Sequence, residues 1–323
     1  MTTLFLATIG GHLTQLNELS TRVPTDGDPL WVTNASEQST SLLAGRDVQY
    51  VPYVGTRSVV GVLRCIPAAR RLVNSRKLTR AVSTGSAIAL GYLPYLAARG
   101  VECHYIESAT RVRGPSLTGR ILQWVPGVRT YTQYPQWENS RWRYAGSVFD
   151  GYEAVPAPPQ LGDQVRVVVT AGAATEYPFR RLFERLVPLL VPDGELHRVT
   201  ARRPIVLWQT GDTEVGDLPI HPLRALPAAE LAAALARADI VVSHAGTGSA
   251  LAALDSGRFP LLVPRAAGQG EAPDNHQPQL AGELARRGLA LHREADSVTV
   301  DDLLATLSVA VRRSATPPPF ELG

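Results

Sequence analysis

The chain has 323 residues, of which 45% are hydrophobic and 19% charged, and its formal net charge at pH 7 is +3. A globular protein of this length has room for a sizeable core and is predicted to form two domains. A membrane-spanning helix is excluded, because no segment approaches the roughly 18 unbroken apolar residues that such a helix needs.

The opening segment, MTTLFLATIGGHL, is predicted to form a first β-strand rather than a signal peptide. It has no basic region, and its short apolar run is broken by Gly10 and Gly11. The two cysteines, Cys65 and Cys103, lie far apart without CxxC or Cys/His spacing, so we interpret them as buried thiols. These features predict a reducing, cytoplasmic location.

Short apolar strands then alternate with helical stretches in two successive sets. The first set contains TLFLATIGGHLTQLNEL, LWVTN, VQYVPY, RAVSTGSAIALGYLPYLAARG and VECHYIES, and the second contains VRVVVTAG, PIVLWQTG, ADIVVSHAGTGSALAALDSG and FPLLVPR. This alternation predicts parallel sheets covered on both faces by helices. The proline-containing stretch 151–164 is the predicted linker between the two sets.

Four turns that follow strands are rich in small and polar residues: TIGGH, STGSA, TAGAATEYPF and SHAGTGSALAAL. Ligands of such sheets bind at the carboxyl ends of the strands. In the last turn, Gly246 and Gly248 permit close backbone approach, Thr247 or Ser249 is expected to cap the next helix, and free N–H groups suit a phosphate or diphosphate. A tight turn without a ligand is the alternative.

The known nucleotide fingerprints are missing from these turns. Neither GxGxxG nor GxxxxGK[ST] occurs, so a nicotinamide dehydrogenase and a P-loop enzyme are disfavoured, and no carboxylate cluster suggests a metal ion. Downstream, the loop PRAAGQGEAPDNHQPQLAGEL combines carboxylate, amide and imidazole groups. It is either an ordinary polar loop before a helix or a site that recognises sugar hydroxyls.

Basic residues are concentrated in the first half of the chain. Residues 1–150 contain 16 Lys and Arg against 9 Asp and Glu, whereas residues 151–323 contain 16 against 20. Within residues 55–80, valines, leucines and an isoleucine alternate with Arg57, Arg64, Arg70, Arg71, Arg76 and Lys77. This segment is a solvated helical face, a contact with an anionic membrane surface, or a contact with an anionic substrate; nucleic acid is the least favoured partner.

The second half carries the more specific family resemblance. SHAGTGSALAALDSGRFPLLVPR, followed by GEAPDNHQPQLAGELARRG, resembles the donor half of bacterial two-subunit exopolysaccharide glycosyltransferases and of the dolichol-pathway N-acetylglucosaminyltransferase. The first half is similar to their partner subunit through GGH, STGSAIAL, YIESATRVRGPSLTGRIL, TQYPQW and YAGSVF, and both halves are distantly similar to MurG.

The resemblance implies a GT-B glycosyltransferase with both subunits fused in one chain. This fold has two Rossmann-like α/β domains whose parallel sheets face each other across a cleft. We expect an acceptor-binding domain at 1–155 and a domain that binds a nucleotide sugar, most simply a UDP-sugar, at 156–323. No cofactor or metal ion is expected.

The resemblance also assigns residues to the donor. They are Thr170, Gly172, Gln209, His244, Gly246, Thr247, Gly248, Ser249, Glu271, Asn275, His276 and Gln277. The diphosphate would lie at residues 246–249, where the helix dipole stabilises the departing nucleotide. Relatives commonly carry a Glu for the ribose hydroxyls where this chain has Ala252; Asp255, one helical turn further on, is the candidate replacement.

An inverting transfer requires a base that takes the proton of the acceptor hydroxyl. His12 and Glu107, both at strand ends, are the candidates, and the sequence does not decide between them; a capping or structural role is the alternative for each. The expected acceptor-binding residues are Gly10, Gly11, Ser83, Thr84, Gly85 and Arg111. The expected acceptor is a lipid-linked saccharide of cell-envelope or exopolysaccharide synthesis, reached from a peripheral position on the membrane, and a soluble acceptor is the alternative.

Two functions from other classes remain open at this point. A nucleotide-sugar epimerase would use the same two-domain fold without an acceptor surface. A non-catalytic subunit that only binds a nucleotide sugar is compatible with Ala252. Turnover of UDP-sugars with and without acceptors separates these three hypotheses.

Overall fold

The computed structural model describes residues 1–25, 27–55, 58–172 and 177–323. The chain divides into two compact units, one formed by Met1–Asp150 with Thr316–Gly323 and the other by Gly151–Ala315. The division lies five residues before the predicted boundary at 155, and the chain returns to the first unit for its last eight described residues.

The first unit is built on a parallel sheet with the strand order β3-β2-β1-β4-β5-β6-β7 in the described residues. Its strands are β1 Thr2–Ala7, β2 Leu30–Asn34, β3 Asp47–Val51, β4 Leu78–Gly85, β5 Glu102–Ile106, β6 Val128–Thr132 and β7 Trp142–Tyr144. Its helices are α1 Gly11–Ser20, α2 Glu37–Leu42, α3 Val59–Ser75, α4 Ala87–Ala97 and α5 Leu117–Leu122. The central strands are continuously buried, as expected for a parallel sheet covered on both faces.

The second unit contains a parallel sheet with the order β11-β10-β9-β12-β13-β14, and a small antiparallel pair, β8 with β15. Its strands are β8 Tyr152–Pro156, β9 Gln164–Thr170, β10 Arg203–Gln209, β11 Pro222–Leu223, β12 Ile240–His244, β13 Leu261–Val263, β14 Leu291–His292 and β15 Val309–Arg313. Its helices are α6 Arg180–Leu190, α7 Glu195–Thr200, α8 Ala228–Arg237, α9 Thr247–Asp255, α10 His276–Arg286 and α11 Val300–Thr306. The predicted α/β class with two Rossmann-like parallel sheets is therefore confirmed.

The predicted linker is wrong for residues 152–156, because they form β8 and pair with β15 in register from Tyr152 opposite Arg313 to Pro156 opposite Val309. The prolines made this strand hard to recognise in the sequence. Its partner, β15, lies about 160 positions further along the chain, so no local pattern indicated the pairing. The last residues also have tertiary partners: Phe320 is buried, its N–H donates to the carbonyl of Arg22, and the Tyr131 hydroxyl donates to the carbonyl of Gly323.

Both cysteines are buried free thiols, as predicted. Cys65 on α3 packs directly on α4, where a Cβ added to Gly91 would lie 2.4 Å from the Cβ of Cys65. A glycine at this position lets the two helices approach. In the described ranges, none of the helices has the length and apolar character needed to cross a membrane.

Candidate functional site

The predicted acceptor residues lie where β1 and β4 end, at the carboxyl edge of the first sheet. His12 is in the first turn of α1, and its Nδ1 is 2.6 Å from the carbonyl oxygen of Thr84, whose hydroxyl donates to the carbonyl of His12 at 2.7 Å. Because a carbonyl oxygen only accepts, Nδ1 carries the proton and Nε2 of the neutral ring is the basic nitrogen. Nε2 has no hydrogen-bond partner in the part of the chain that is described.

The environment of His12 favours its neutral form. Burial lowers its pKa below the ordinary value of 6.5. The hydrogen bond to Thr84 raises this pKa, and the positive charge of Arg111 lowers it, so the net shift is downward. The imidazole is therefore neutral at pH 7 and able to accept a proton.

Glu107 is buried just after β5, and both of its carboxylate oxygens are occupied. Oε1 accepts hydrogen bonds from the Tyr105 hydroxyl at 3.2 Å and the Ser108 amide at 3.0 Å. Oε2 accepts from the amide and the hydroxyl of Ser116, at 2.8 and 3.0 Å. Burial raises the pKa of Glu107, and these hydrogen bonds oppose the rise. Glu107 thus anchors both ends of the loop 108–116, while its role as a base stays a prediction.

Two buried glutamines, which the sequence analysis missed, brace the same region. Gln15 on α1 donates to the Ser108 hydroxyl at 3.1 Å and accepts from the Ala109 amide at 2.7 Å. Gln133 donates to Gln15 and to the carbonyl of Glu107, at 3.2 and 3.0 Å. A buried amide is satisfied only by partners from other elements, so no local pattern could have identified these two residues.

The other predicted acceptor residues lie around His12. A Cβ on Gly85, which has a φ of +101°, would be 3.3 Å from the His12 ring. The Ser83 hydroxyl accepts from the Gly85 amide at 3.1 Å, and the Gly10 amide donates to Gln38 at 2.7 Å. Gly11 accepts from Gln15 through its carbonyl, and the Arg111 amide donates to the carbonyl of Ser108.

In the second unit, the start of α9 presents free donors. Helix α9 begins at Thr247, and its N-cap Gly246 provides no side-chain cap. The predicted capping by Thr247 or Ser249 is therefore wrong, because both residues lie inside the first turn. In the described chain the amides of residues 247–249 have no hydrogen-bond partner, and neither has the buried hydroxyl of Thr247. This combination suits an anion.

His244, the last residue of β12, fits between two glycines. A Cβ on Gly172 would lie 2.8 Å from Cε1 of the His244 ring, and a Cβ on Gly246 would lie 2.4 Å from its Nε2. The glycines of both turns therefore make room for the imidazole of His244. Burial lowers the pKa of His244 to about 4, with further lowering by the charges of Arg265 and His276.

Thr170 and Gln209 lie beneath these turns, at the ends of the paired strands β9 and β10. The Thr170 hydroxyl donates to Gln209 Oε1 at 2.9 Å and accepts from the Gly172 amide at 3.1 Å. Both side chains are buried, so they hold the turn after β9 rather than project from it. Residues 173–176 of the predicted turn lie outside the described residues.

The predicted sugar-binding loop lies between β13 and α10. Gln277 accepts the Arg265 amide at 3.1 Å, and Asp274 accepts from the backbone amide and Nδ1 of His276, which orients this imidazole. Asn275 is exposed at the N-terminus of α10. These positions are compatible with the predicted donor contacts, which stay predictions.

Glu271 makes protein contacts that the sequence did not reveal. Its two oxygens accept a bidentate pair of hydrogen bonds from Arg181 on α6, both at 3.1 Å, and one of them also accepts the Ala266 amide at 3.0 Å. Glu271 therefore fastens the loop to α6, and its predicted contact with the sugar or ribose stays a prediction.

Asp255, the candidate replacement for the glutamate that relatives carry at position 252, makes protein contacts that the sequence did not reveal. It lies at the C-terminal end of α9, about 12 Å along the helix from Thr247 at 1.5 Å per residue. Its carboxylate accepts from the Tyr152 hydroxyl and from Arg313, both at 2.5 Å. Asp255 is thus paired with β8 and β15, and its predicted contact with a ribose stays a prediction.

No group of three or more His, Cys, Asp and Glu residues suitable for a metal ion occurs within the described ranges.

Sequence comparison finds a family match in the second half of the chain. Residues 167–317 match the glycosyltransferase family 28 C-terminal domain. A segment of 70 residues is 44% identical to the UDP-N-acetylglucosamine transferase subunit ALG13 of Yarrowia lipolytica. That alignment covers 21% of this chain and 34% of the relative, so the chain spans about a third of the length of the curated relative it matches.

Structure comparison covers both units. The crystal structure of Acinetobacter baumannii MurG aligns with a TM-score of 0.58 at 18% identity, over 95% of this chain and 91% of that chain. A putative UDP-N-acetylglucosamine 2-epimerase from Listeria monocytogenes aligns with a TM-score of 0.56 at 10% identity, over 99% and 92%. The comparisons confirm the predicted GT-B fold and the resemblance to MurG-like N-acetylglucosaminyltransferases.

Proposed function

We propose, from the match of residues 167–317 to the glycosyltransferase family 28 C-terminal domain, that the chain is a glycosyltransferase that uses a UDP-sugar. The observation that carries the proposal is the start of α9 within this domain. Three amides and the Thr247 hydroxyl, all without a hydrogen-bond partner among the described residues, lie beside His244 at the carboxyl edge of the sheet, where a diphosphate would find donors and a favourable helix dipole.

UDP-N-acetylglucosamine is the first donor to test. One support is the name of the Yarrowia lipolytica relative. The other is the pair of polar side chains near the start of α10, His276, which Asp274 orients, and Gln277. Ala252 offers no carboxylate to the ribose, so nucleotide selectivity must come from other contacts.

We assign the acceptor to the first unit and the base to His12. Its proton is on Nδ1, its Nε2 is unpartnered among the described residues, and its lowered pKa keeps the lone pair available at neutral pH. Proton transfer from the acceptor hydroxyl to Nε2 would accompany attack on the anomeric carbon from the face opposite UDP, which inverts its configuration. Glu107 would position the loop 108–116, including Arg111, beside that base.

We further propose that the acceptor is a lipid-linked saccharide and that the protein binds peripherally to a membrane. Helix α3 supports this proposal: Cys65, Ala69 and Leu72 face the core, whereas Val59, Val60, Leu63 and Ile66 are exposed. The exposed arginines 64, 70 and 71 lie on the same helix, and Arg76 follows it and pairs with Asp47. Arg57 lies outside the described residues.

A second exposed apolar stripe, absent from the sequence prediction, lies on and just after α5. Leu117, Ile121 and Trp124 are 58%, 46% and 65% exposed, at a spacing that places them on one helical face. Arg141 stacks on Trp124 at 3.6 Å, and α4 packs against both α3 and α5. An aromatic residue with a stacked cation is typical of a membrane interface, so this stripe extends the proposed surface.

Replacing Arg64, Arg70, Arg71 and Arg76 by Gln is expected to weaken binding to anionic vesicles at least tenfold at low salt. Each basic residue near an anionic surface contributes about 1 kcal/mol, and a tenfold change is about 1.4 kcal/mol. Co-sedimentation with vesicles of anionic and of neutral lipid, over a range of salt, measures this effect.

The matched control replaces Arg198, Arg203, Arg237 and Arg312 of the second unit by Gln, which changes the net charge equally. This control is expected to retain vesicle binding. Equal binding of wild type to neutral and anionic vesicles, or no binding to either, would instead support a soluble acceptor and a solvated basic face.

Release of UDP from UDP-N-acetylglucosamine and other UDP-sugars, with and without lipid-linked acceptors, tests the proposed activity. We expect acceptor-dependent release that is unchanged by EDTA, because the helix start and the His244 region are proposed to stabilise the diphosphate without a metal ion. Strong inhibition by EDTA that Mg²⁺ or Mn²⁺ reverses would overturn the metal-independent mechanism.

The epimerase hypothesis stays an alternative, and the Listeria monocytogenes structure aligns over 99% of this chain. At 10% identity this likeness concerns the fold alone. Interconversion of two UDP-sugars without UDP release would favour the epimerase, and nucleotide binding without any turnover would favour a non-catalytic subunit.

A further inference from the structure

Arg265, two residues after β13, was not among the predicted donor residues, although it contacts two other parts of the proposed donor site. Its guanidinium is buried, with only 4% of the residue exposed. Nη2 donates to the carbonyl of Ala171 at 2.8 Å, and Nη1 donates to the carbonyl of Tyr177. The Arg265 amide donates to Gln277 at 3.1 Å, so one residue links the turn after β9 with the start of α10.

The contact with Ala171 extends to His244. Ala171 is followed by Gly172, which lies so close to the imidazole that a Cβ there would be 2.8 Å from Cε1 of His244. A shift of the Ala171 carbonyl would therefore move Gly172 against or away from this ring. The guanidinium of Arg265 is thus connected to the His244 ring through Ala171 and Gly172.

The geometry of these contacts suits an arginine. Two carbonyl groups accept from two separate nitrogens of one rigid planar group, whereas a lysine would have to serve both carbonyls from one nitrogen at the end of a flexible stem. The guanidinium also lies 5.1 Å from the centroid of the Phe179 ring, which completes its burial. Burying a cation is costly, which argues for a specific use of the charge and the geometry.

We propose that Arg265 is a positioning residue of the donor site, which holds the turn after β9 and thereby places the His244 ring against the donor diphosphate. This inference rests on the proposed function. The positive charge of Arg265 also lowers the pKa of His244, which gives the proposal a second consequence that can be measured.

The test uses the full chain with two variants, Arg265→Lys and Arg265→Met. Calorimetry with UDP is expected to show at least a tenfold loss of affinity in both, because neither side chain supplies two separate planar nitrogens to the carbonyls of Ala171 and Tyr177. In NMR titrations, Arg265→Met is expected to raise the pKa of His244 above its value of about 4, whereas Arg265→Lys, which keeps the charge, is expected to leave it nearly unchanged. The His244 signal is assigned by its loss in His244→Gln.

Arg185→Lys is the matched control, because Arg185 also donates to a backbone carbonyl, that of Val298 at 2.6 Å, in the same unit. It is expected to keep wild-type affinity for UDP. Wild-type affinity in both Arg265 variants would overturn the inference. A loss of affinity would also overturn it if thermal unfolding showed that the loss only reflects a smaller fraction of folded protein. Failure of the wild-type protein to bind UDP would instead contradict the proposed function.

Discussion

Replacement of His12 by Ala is expected to lower turnover at least about 100-fold while the affinity for UDP stays within a factor of two of wild type. His12 Nε2 is proposed to accept a proton only as the new bond forms, so its loss affects the transition state rather than the binding of the nucleotide. Steady-state kinetics with the preferred UDP-sugar, and calorimetry with UDP, measure the two quantities separately.

The pH dependence provides a second measurement of the same prediction. Because the base must be neutral and burial lowers the pKa of His12, turnover is expected to fall only as the pH drops through a midpoint below 6.5. Wild-type turnover in His12→Ala would show that the base lies elsewhere.

Glu107→Gln is the informative comparison for His12. It is also expected to lower turnover, since the amide of Gln keeps one acceptor oxygen but replaces the other with a donor, so that the hydrogen bond from either the Ser108 or the Ser116 amide is lost. If Glu107 only positions the loop, the turnover of this variant still falls at low pH as in wild type, because His12 is unchanged. The role of base would instead belong to Glu107 if turnover no longer fell at low pH in Glu107→Gln, while the residual turnover of His12→Ala still did.

Replacement of Gly246 by Ala is expected to lower the affinity for UDP at least tenfold, or roughly 1.4 kcal/mol. The new Cβ would lie 2.4 Å from Nε2 of His244, so the ring must leave its position at the start of α9. Calorimetry with UDP on the folded variant measures the effect.

Two controls show whether this effect arises from the contact with His244. Gly282→Ala, in the middle of α10 with no atom within 4 Å of the added Cβ, is expected to bind UDP normally and to be slightly more stable than wild type. In a His244→Ala background, Gly246→Ala is expected to cost little further affinity, because the clashing ring is gone. An undiminished effect in that background would contradict the proposed contact.

The sequence by itself determined the α/β class, the strand-turn-helix order and the places of the glycine-rich turns. These features depend on local patterns: buried strands of the two sheets appear as apolar runs such as LFLA and IVVSH, and positions near helix starts carry small residues. Because parallel strands align their carboxyl ends, the turns were also expected to gather at one edge of each sheet, and His12 indeed lies against Thr84 and His244 against Gly172.

Only the tertiary structure decided which polar side chains are free and which are occupied. Glu107 and Glu271 looked alike in sequence as carboxylates near turns, yet the first is held by Tyr105 and Ser116 and the second by Arg181 on α6. Asp255 is held by Tyr152 and Arg313, and Arg265 was overlooked because its partners lie about 90 positions earlier. Hydrogen-bond partners of buried groups come from elements distant in the chain, so the partner of a buried charge follows from packing and not from local spacing.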